Sequence, residues 1–184
     1  MNKNFLHKAS LWGGLVGAIL LFSCEKKDYT SYCPTWKGFT YTVNDNTTPG
    51  NPRNIVLRPG DELHITAHQD KKGHLIHATD YTWTICDNTN NEIVPDAESY
   101  SQHTNYDGYE NGSDDPVGHL SLPTTMAAGK YYVRFVARYT YSGQGITIVN
   151  GNIVDNTSYS GRITPQSGAT GGGATGYFYF SVEE

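Results

Sequence analysis

Charge is scarce in this sequence of 184 residues: Asp, Glu, Lys and Arg together make up 17%. Helical bundles and coiled coils draw on Ala, Leu, Glu and Lys, so the deficit opposes both. Basic residues are the scarcer sign, 13 against 18 acidic, for a formal charge of −5. A nucleic-acid binder needs a basic face for phosphates, and this balance argues against one. After residue 23 no apolar run is long enough to span a membrane, and no stretch repeats apolar residues at i, i+3, i+4 and i+7 over three turns. Catalytic signatures are missing too: there is no Gly-x-Ser-x-Gly, no His-Glu-x-x-His and no phosphate loop. Asp96 and Glu98 could form an acid pair, but any loop offers such pairs. No nucleophile, base and orienting group can be named together, so the reading is non-enzymatic.

What is present begins with an address. Lys3 and Lys8 precede an almost unbroken apolar stretch from Ala9 to Ser23. A helix of that length rises about 22 Å, short of the ~30 Å hydrocarbon core of a bilayer. A secretory signal fits better than a span. The stretch ends Leu21-Phe22-Ser23-Cys24, followed by Glu25, Lys26, Lys27 and Asp28. These residues resemble a bacterial lipoprotein signal, with Leu21 at −3, Ser23 at −1 and Cys24 as the lipidated residue. The resemblance implies a signal peptide over 1–23, acyl chains such as palmitate on Cys24, and a membrane anchor held stably by more than one chain. Cleavage would remove two lysines and leave a side-chain charge of −7. The charged segment after Cys24 resembles that of Bacteroides-type surface lipoproteins, which implies display on the outer face of the outer membrane. Inner-leaflet placement stays open, because the match is confined to Glu25–Asp28.

Residues 24–35 read as a lipidated tether and 36–184 as one domain. Its pattern is period two, the mark of half-buried strands. Phe39, Tyr41 and Val43 alternate with Thr40 and Thr42; Leu63, Ile65 and Ala67 with His64, Thr66 and His68. Tyr81, Trp83 and Ile85 follow. The strongest run puts Tyr131, Val133, Phe135, Ala137 and Tyr139 on one face and Tyr132, Arg134, Val136 and Arg138 on the other. Phe178, Phe180 and Val182 share a face in the last strand. Residues 87–116 are too long for a structureless loop and should hold a short edge strand or insertion. Asn150-Gly151 between β-branched residues signals a hairpin. Residues 165–176, nearly all Gly, Ser, Thr and Ala, read as a mobile loop. The expected fold is all-β, a sandwich of seven to nine strands with long loops.

Tyr81-Thr82-Trp83 and Ala128-Gly129-Lys130-Tyr131-Tyr132-Val133 resemble immunoglobulin-like domains of the polycystic-kidney-disease (PKD) repeat type over roughly 55–140. The resemblance implies an immunoglobulin-like antiparallel sandwich, Trp83 plugging the core and Tyr131 at a strand corner. The Asp-Phe-Gly-Asp-Gly stretch of that repeat is replaced here by Thr84-Ile85-Cys86-Asp87-Asn88. Such domains serve as spacers, adhesion modules or sugar-binding units, so the fold does not decide function.

With Cys24 committed to lipid, Cys33 and Cys86 remain. In an exported domain they suggest a disulfide; two unrelated thiols are the alternative. Their spacing is not that of a thiolate metal site. His64, His68, His74 and His77 crowd into 14 residues. His64 and His68 would share a strand face about 13 Å apart, too far for one ion, while His77 could approach one of them across a hairpin. Plain solvent-facing polarity is the other reading. Asp107, Glu110, Asp114 and Asp115, with Asn105 and Asn111, offer oxygen ligands of the kind calcium needs, or simply a solvated acidic loop. No other cofactor is implied.

Tyrosine is the distinctive excess, 14 of 23 aromatics. Exposed tyrosines can stack on sugars or give rigid contact area to a protein. Parity and loop position nominate Tyr132, Tyr141, Tyr159, Tyr177 and Tyr179. The sequence thus points to a lipid-anchored cell-envelope module for binding or display. Two narrower readings stand beside it: a glycan-binding accessory lipoprotein of a nutrient-uptake system, and a structural or adhesive subunit that pairs by β-strand exchange.

Overall fold

A computed structural model describes residues 31–46, 54–74, 76–105, 114–141, 146–147, 162–167 and 172–184. Among them the chain is all β, with no helix. The strands are β1 (Ser31–Tyr32), β2 (Thr35–Val43), β3 (Val56–Leu57), β4 (Glu62–Lys71), β5 (Ile76–Asp87), β6 (Tyr100–Asn105), β7 (Val117–Ser121), β8 (Gly129–Tyr141), β9 (Ile146–Thr147), β10 (Arg162–Ser167) and β11 (Gly172–Val182). β2, β4, β5, β8 and β11 correspond to the runs read from period two. β6 is the edge strand expected within 87–116.

Two main sheets form. One runs β10-β11-β8-β5-β6, with β3 added in parallel to the end of β11; the other is β2-β4-β7. Both are antiparallel along these paths. Separately, β1 and β9 make a short parallel pair. The sheets are joined by one core, in which Phe39, Leu63, Ile65 and Leu120 of the smaller sheet meet Trp83, Phe135 and Phe178 of the larger. Aromatic rings fill its centre: Trp83 lies 4.4 Å from Phe135 between centroids, and Phe39 contacts Trp83, Phe135 and Phe178 edge-on at 6.0–6.1 Å. Edge-on and offset contacts let the ring quadrupoles attract. The alternation along β8 is realised: Tyr131 to Tyr139 at odd positions are buried in this core.

The packed structure includes residues ahead of 36, within the segment expected to be a tether. Cys33 and Trp36 are buried in the core, and Ser31–Tyr32 pair with Ile146–Thr147. A bulge between Trp36 and Gly38 shifts the register there, and Gly38 has φ of 131°, a backbone that side chains rarely adopt.

The expected mobile loop at 165–176 is corrected. Its two ends are β10 and the start of β11, paired from Arg162↔Tyr177 to Ser167↔Gly172. Glycines sit on β11 because the backbone is crowded. A Cβ on Gly176 would come within 2.7 Å of Phe39 and Ile163, and one on Gly173 within 2.5 Å of the Ala137 carbonyl. Gly118 on β7 likewise lies against the Trp83 ring, at 2.6 Å from an added Cβ. Pro165 in β10 causes no pairing conflict, because β10 is the sheet's edge. The Asn150-Gly151 hairpin lies outside the described residues.

Candidate functional site

The outward face of the larger sheet carries two of the molecule's exposed aromatics. Tyr179 is 54% exposed and Tyr177 39%. They stand two positions apart on β11, so both point the same way. Register places Tyr179 opposite Tyr132 and Tyr177 opposite Arg134 on β8. The three tyrosine rings touch: Tyr132 is 5.6 Å from Tyr177 and 5.8 Å from Tyr179, and Tyr177 is 6.4 Å from Tyr179 with planes 29° apart. Tyr132, expected to be exposed, is instead 5% exposed. It lies on a central strand between β5 and β11, and the two neighbouring rings cover it. Its hydroxyl donates to Asn91 Oδ1 at 3.3 Å. Burial pushes its pKa above the usual phenol value, with the nearby Cys86 adding to the rise and Arg134 opposing it. Tyr132 is therefore the floor of the cluster, and Tyr177 and Tyr179 are its surface. The side chains of Tyr141 and Tyr159 lie outside the described residues.

Beyond the tyrosines the face continues as Arg134, Val136 and Arg138 on β8, with Thr175 on β11 and Thr82 and Asp80 on β5. Arg134 is half-buried and Arg138 exposed. Neither has an ion-pair partner among the described residues. Asp80 is tied to His103 across the β5–β6 pair at 2.6 Å, and this bond raises the His103 pKa above the ordinary imidazole value. Sequence reasoning does not single out the two arginines as site residues, although their parity along β8 puts them on the outward face.

The disulfide between Cys33 and Cys86 is not formed; both are buried thiols. The geometry opposes a bridge. Cys33 belongs to the core between the sheets. Cys86 pairs with Tyr132 and interacts with its ring hydroxyl on the outward side. The larger sheet stands between the two sulfurs.

The histidines are corrected as well. His77 lies on β5 in the larger sheet and His64 and His68 on β4 in the smaller, so no β4–β5 hairpin brings them together. His64 faces His119 of β7 instead, directly opposite in register with ring centroids 4.4 Å apart. Asp45 sits 3.5 Å from His64 Nδ1. Nothing in the sequence links positions 64 and 119; only strand pairing does. His68 is held at both nitrogens, 2.6 Å from Thr40 Oγ1 and 2.9 Å from Asp115 Oδ2.

Of the proposed calcium ligands, Asp107 and Glu110 lie outside the described residues. Asp115 accepts the Gln69 amide at 2.8 Å besides contacting His68, and Asp114 pairs with Lys72 at 3.0 Å. These two carboxylates clamp the end of β4. Among the described residues no group of three His, Cys, Asp or Glu could hold a metal ion.

A cleft of about 360 Å³ opens where the 87–96 turn meets residues 125–127, lined by Asp87, Ile93, Asp96, Met126 and Tyr131 among others. The Thr89 amide, at 2.6 Å, holds the Asp87 carboxyl below its usual pKa, so Asp87 serves as an acceptor that fixes its own turn.

No family model matches the chain, and neither a curated protein nor a solved structure matches it.

Proposed function

We propose that this protein is a lipid-anchored, non-catalytic module of the cell envelope that binds polysaccharide on the tyrosine face of its larger sheet. The observation that carries this reading is the convergence of Tyr132, Tyr177 and Tyr179, with two rings open to solvent on a strand paired along both sides. Rigid aromatic area fixed on strands loses little entropy when a sugar ring stacks on it. Anchoring through Cys24 at the outer membrane rests on the order of basic, apolar and small residues that leads up to it.

The fold we assign is immunoglobulin-like. Three observations support it. The sheet orders β2-β4-β7 and β10-β11-β8-β5-β6 match an A-B-E sheet facing a G-F-C sheet, with β6 added beyond C and β10 and the short β3 added beyond G. Trp83 on the third long strand is fully buried. The Tyr131 hydroxyl donates to the Ala127 carbonyl at 2.9 Å, a few positions upstream, as in a tyrosine corner. The pKa of this hydroxyl is raised by burial and by Asp87.

The test is thermal unfolding of the purified protein against a panel of polysaccharides, with calcium and with EDTA. A polysaccharide that binds only the folded state raises the midpoint by mass action. An upward shift lost in Tyr177→Ala/Tyr179→Ala supports the reading; an unmoved midpoint across the panel rejects it. Metabolic labelling with a clickable fatty acid, present in the parent and absent in Cys24→Ala, tests the anchor.

A further inference from the structure

We infer that the polysaccharide taken by this face is anionic, its carboxylate or sulfate groups held by Arg134 and Arg138 while its rings lie against Tyr177 and Tyr179. The inference rests on the polysaccharide reading above and names the class of ligand.

The chain is acidic overall, at −5, yet the outward positions of β8 and β11 contain no carboxylate. Within the paired stretch they read Lys130, Tyr132, Arg134, Val136 and Arg138 on one strand and Gly173, Thr175, Tyr177, Tyr179 and Ser181 on the other. The one carboxylate at an outward position of β5 is Asp80, opposite Arg138 in register, and His103 engages it. Arg134 is half-buried, so part of its hydration is already lost, and no internal anion compensates it among the described residues. A partly desolvated cation without a partner favours an external anion. Lysine could offer only a point charge, whereas the guanidinium fork matches a carboxylate or sulfate in two parallel bonds.

Geometry then favours a polymer over a single sugar. Arg134 and Arg138 share a strand face, about 13 Å apart along it. Tyr177 is directly opposite Arg134, and Tyr179 lies beyond it on the side away from Arg138. An aromatic surface and spaced cations thus follow one another along the β8–β11 pair. A chain with repeating charges can engage both arginines at once, and the second contact gains from effective concentration.

The experiment measures binding of the full chain, held in neutral detergent, to immobilised polygalacturonate, chondroitin sulfate and dextran. The inference expects binding to polygalacturonate, to chondroitin sulfate or to both, far weaker binding to dextran, and loss of affinity as sodium chloride rises. Which of the first two binds identifies the anion as carboxylate or sulfate. Arg134→Gln should weaken anionic binding about tenfold or more, and Arg134→Lys should restore part of it. Unchanged thermal midpoints in both variants show that the fold is intact. Dextran bound as tightly as the anionic polymers, with Arg134→Gln unaffected, overturns this inference and leaves the tyrosine reading standing. No binding to any of the three, in a folded protein, overturns both.

Discussion

The two outward faces of the sandwich are built from similar materials and end up doing opposite things. On the smaller sheet several polar groups are engaged internally. His68 is held by Thr40 and Asp115, His64 rests on His119 beside Asp45, and Asn44 donates to Asp61 at 2.8 Å. On the larger sheet Tyr177 and Tyr179 are open and Arg134 and Arg138 lack a counter-ion among the described residues. A face whose hydrogen bonds close on themselves gains rigidity and offers little to a ligand. A face that leaves aromatic area and cations unmatched still has those groups open to an external partner, which is what the proposed function draws on. The contrast also separates two kinds of residue cluster: His64 and His68, close in sequence, are tied into the smaller sheet's own framework, while Tyr132, distant in sequence from Tyr177 and Tyr179, meets them on the larger sheet.

The largest expected effect breaks the contrast by removing the support shared by both faces. Gly176→Val forces a side chain into Phe39 of the smaller sheet and Ile163 of β10. Overpacking of this kind should cost about 3 kcal/mol and lower the urea midpoint. An unchanged midpoint would show that β11 does not pack on Phe39 as described.

Next, Asp115→Ala should hurt the smaller sheet's face through stability alone. It strands the Gln69 amide and releases His68, a loss of about 1–2 kcal/mol. For a chain of this length that lowers Tm by roughly 2–4 °C per kcal/mol. Polysaccharide affinity should stay as it was; a parallel drop in affinity would merge the two faces into one functional unit.

Tyr177→Ala and Tyr179→Ala should show the reverse pattern. Each removes an exposed ring, so stability should fall by less than about 1 kcal/mol, the scale of cross-strand surface pairs. Polysaccharide binding should fall clearly in both. A stability loss well above that scale, with binding intact, would make the tyrosine cluster structural.

The smallest effect is in pH. The bond to Asp80 raises the His103 pKa in the folded protein. The pair therefore contributes fully below the unfolded value of about 6.5, and its contribution fades as pH rises through the higher folded value. The site is exposed, so the effect should be slight. A denaturation midpoint followed from pH 5 to 9 should carry this component in the parent and lose it in His103→Asn. An identical pH profile in the two proteins would remove the pair from the account.

Much of the strand content was legible without coordinates. Period two located the long strands and sorted β8 into an inner set and an outer set, because successive side chains alternate across a strand whatever its neighbours are. The same rule failed where glycine interrupts it. Residues 172–176 have almost no side chains to alternate, and a strand that admits the close approach of Phe39, Ile163 and Ala137 looks in sequence like a flexible loop. Cys33 and Cys86 suggested a bridge by number alone; the side of the sheet each occupies depends on the packed structure.

Of the candidate site, the sequence supplied Tyr132, Tyr177 and Tyr179 as members of a broader set, and the outward parity of Arg134 and Arg138. It could not bring them together. By itself it determined the apolar stretch that leads up to Cys24, the all-β character and the face on which most strand residues stand, all of which depend on near neighbours in the chain. Only the tertiary structure decided that β11 pairs with β8 in the register that sets Tyr179 opposite Tyr132 and Tyr177 opposite Arg134. It also decided that His64 meets His119 rather than His77. Strand order and register are set by how the sheets close over a common core, and contacts between distant parts of the chain leave no local trace.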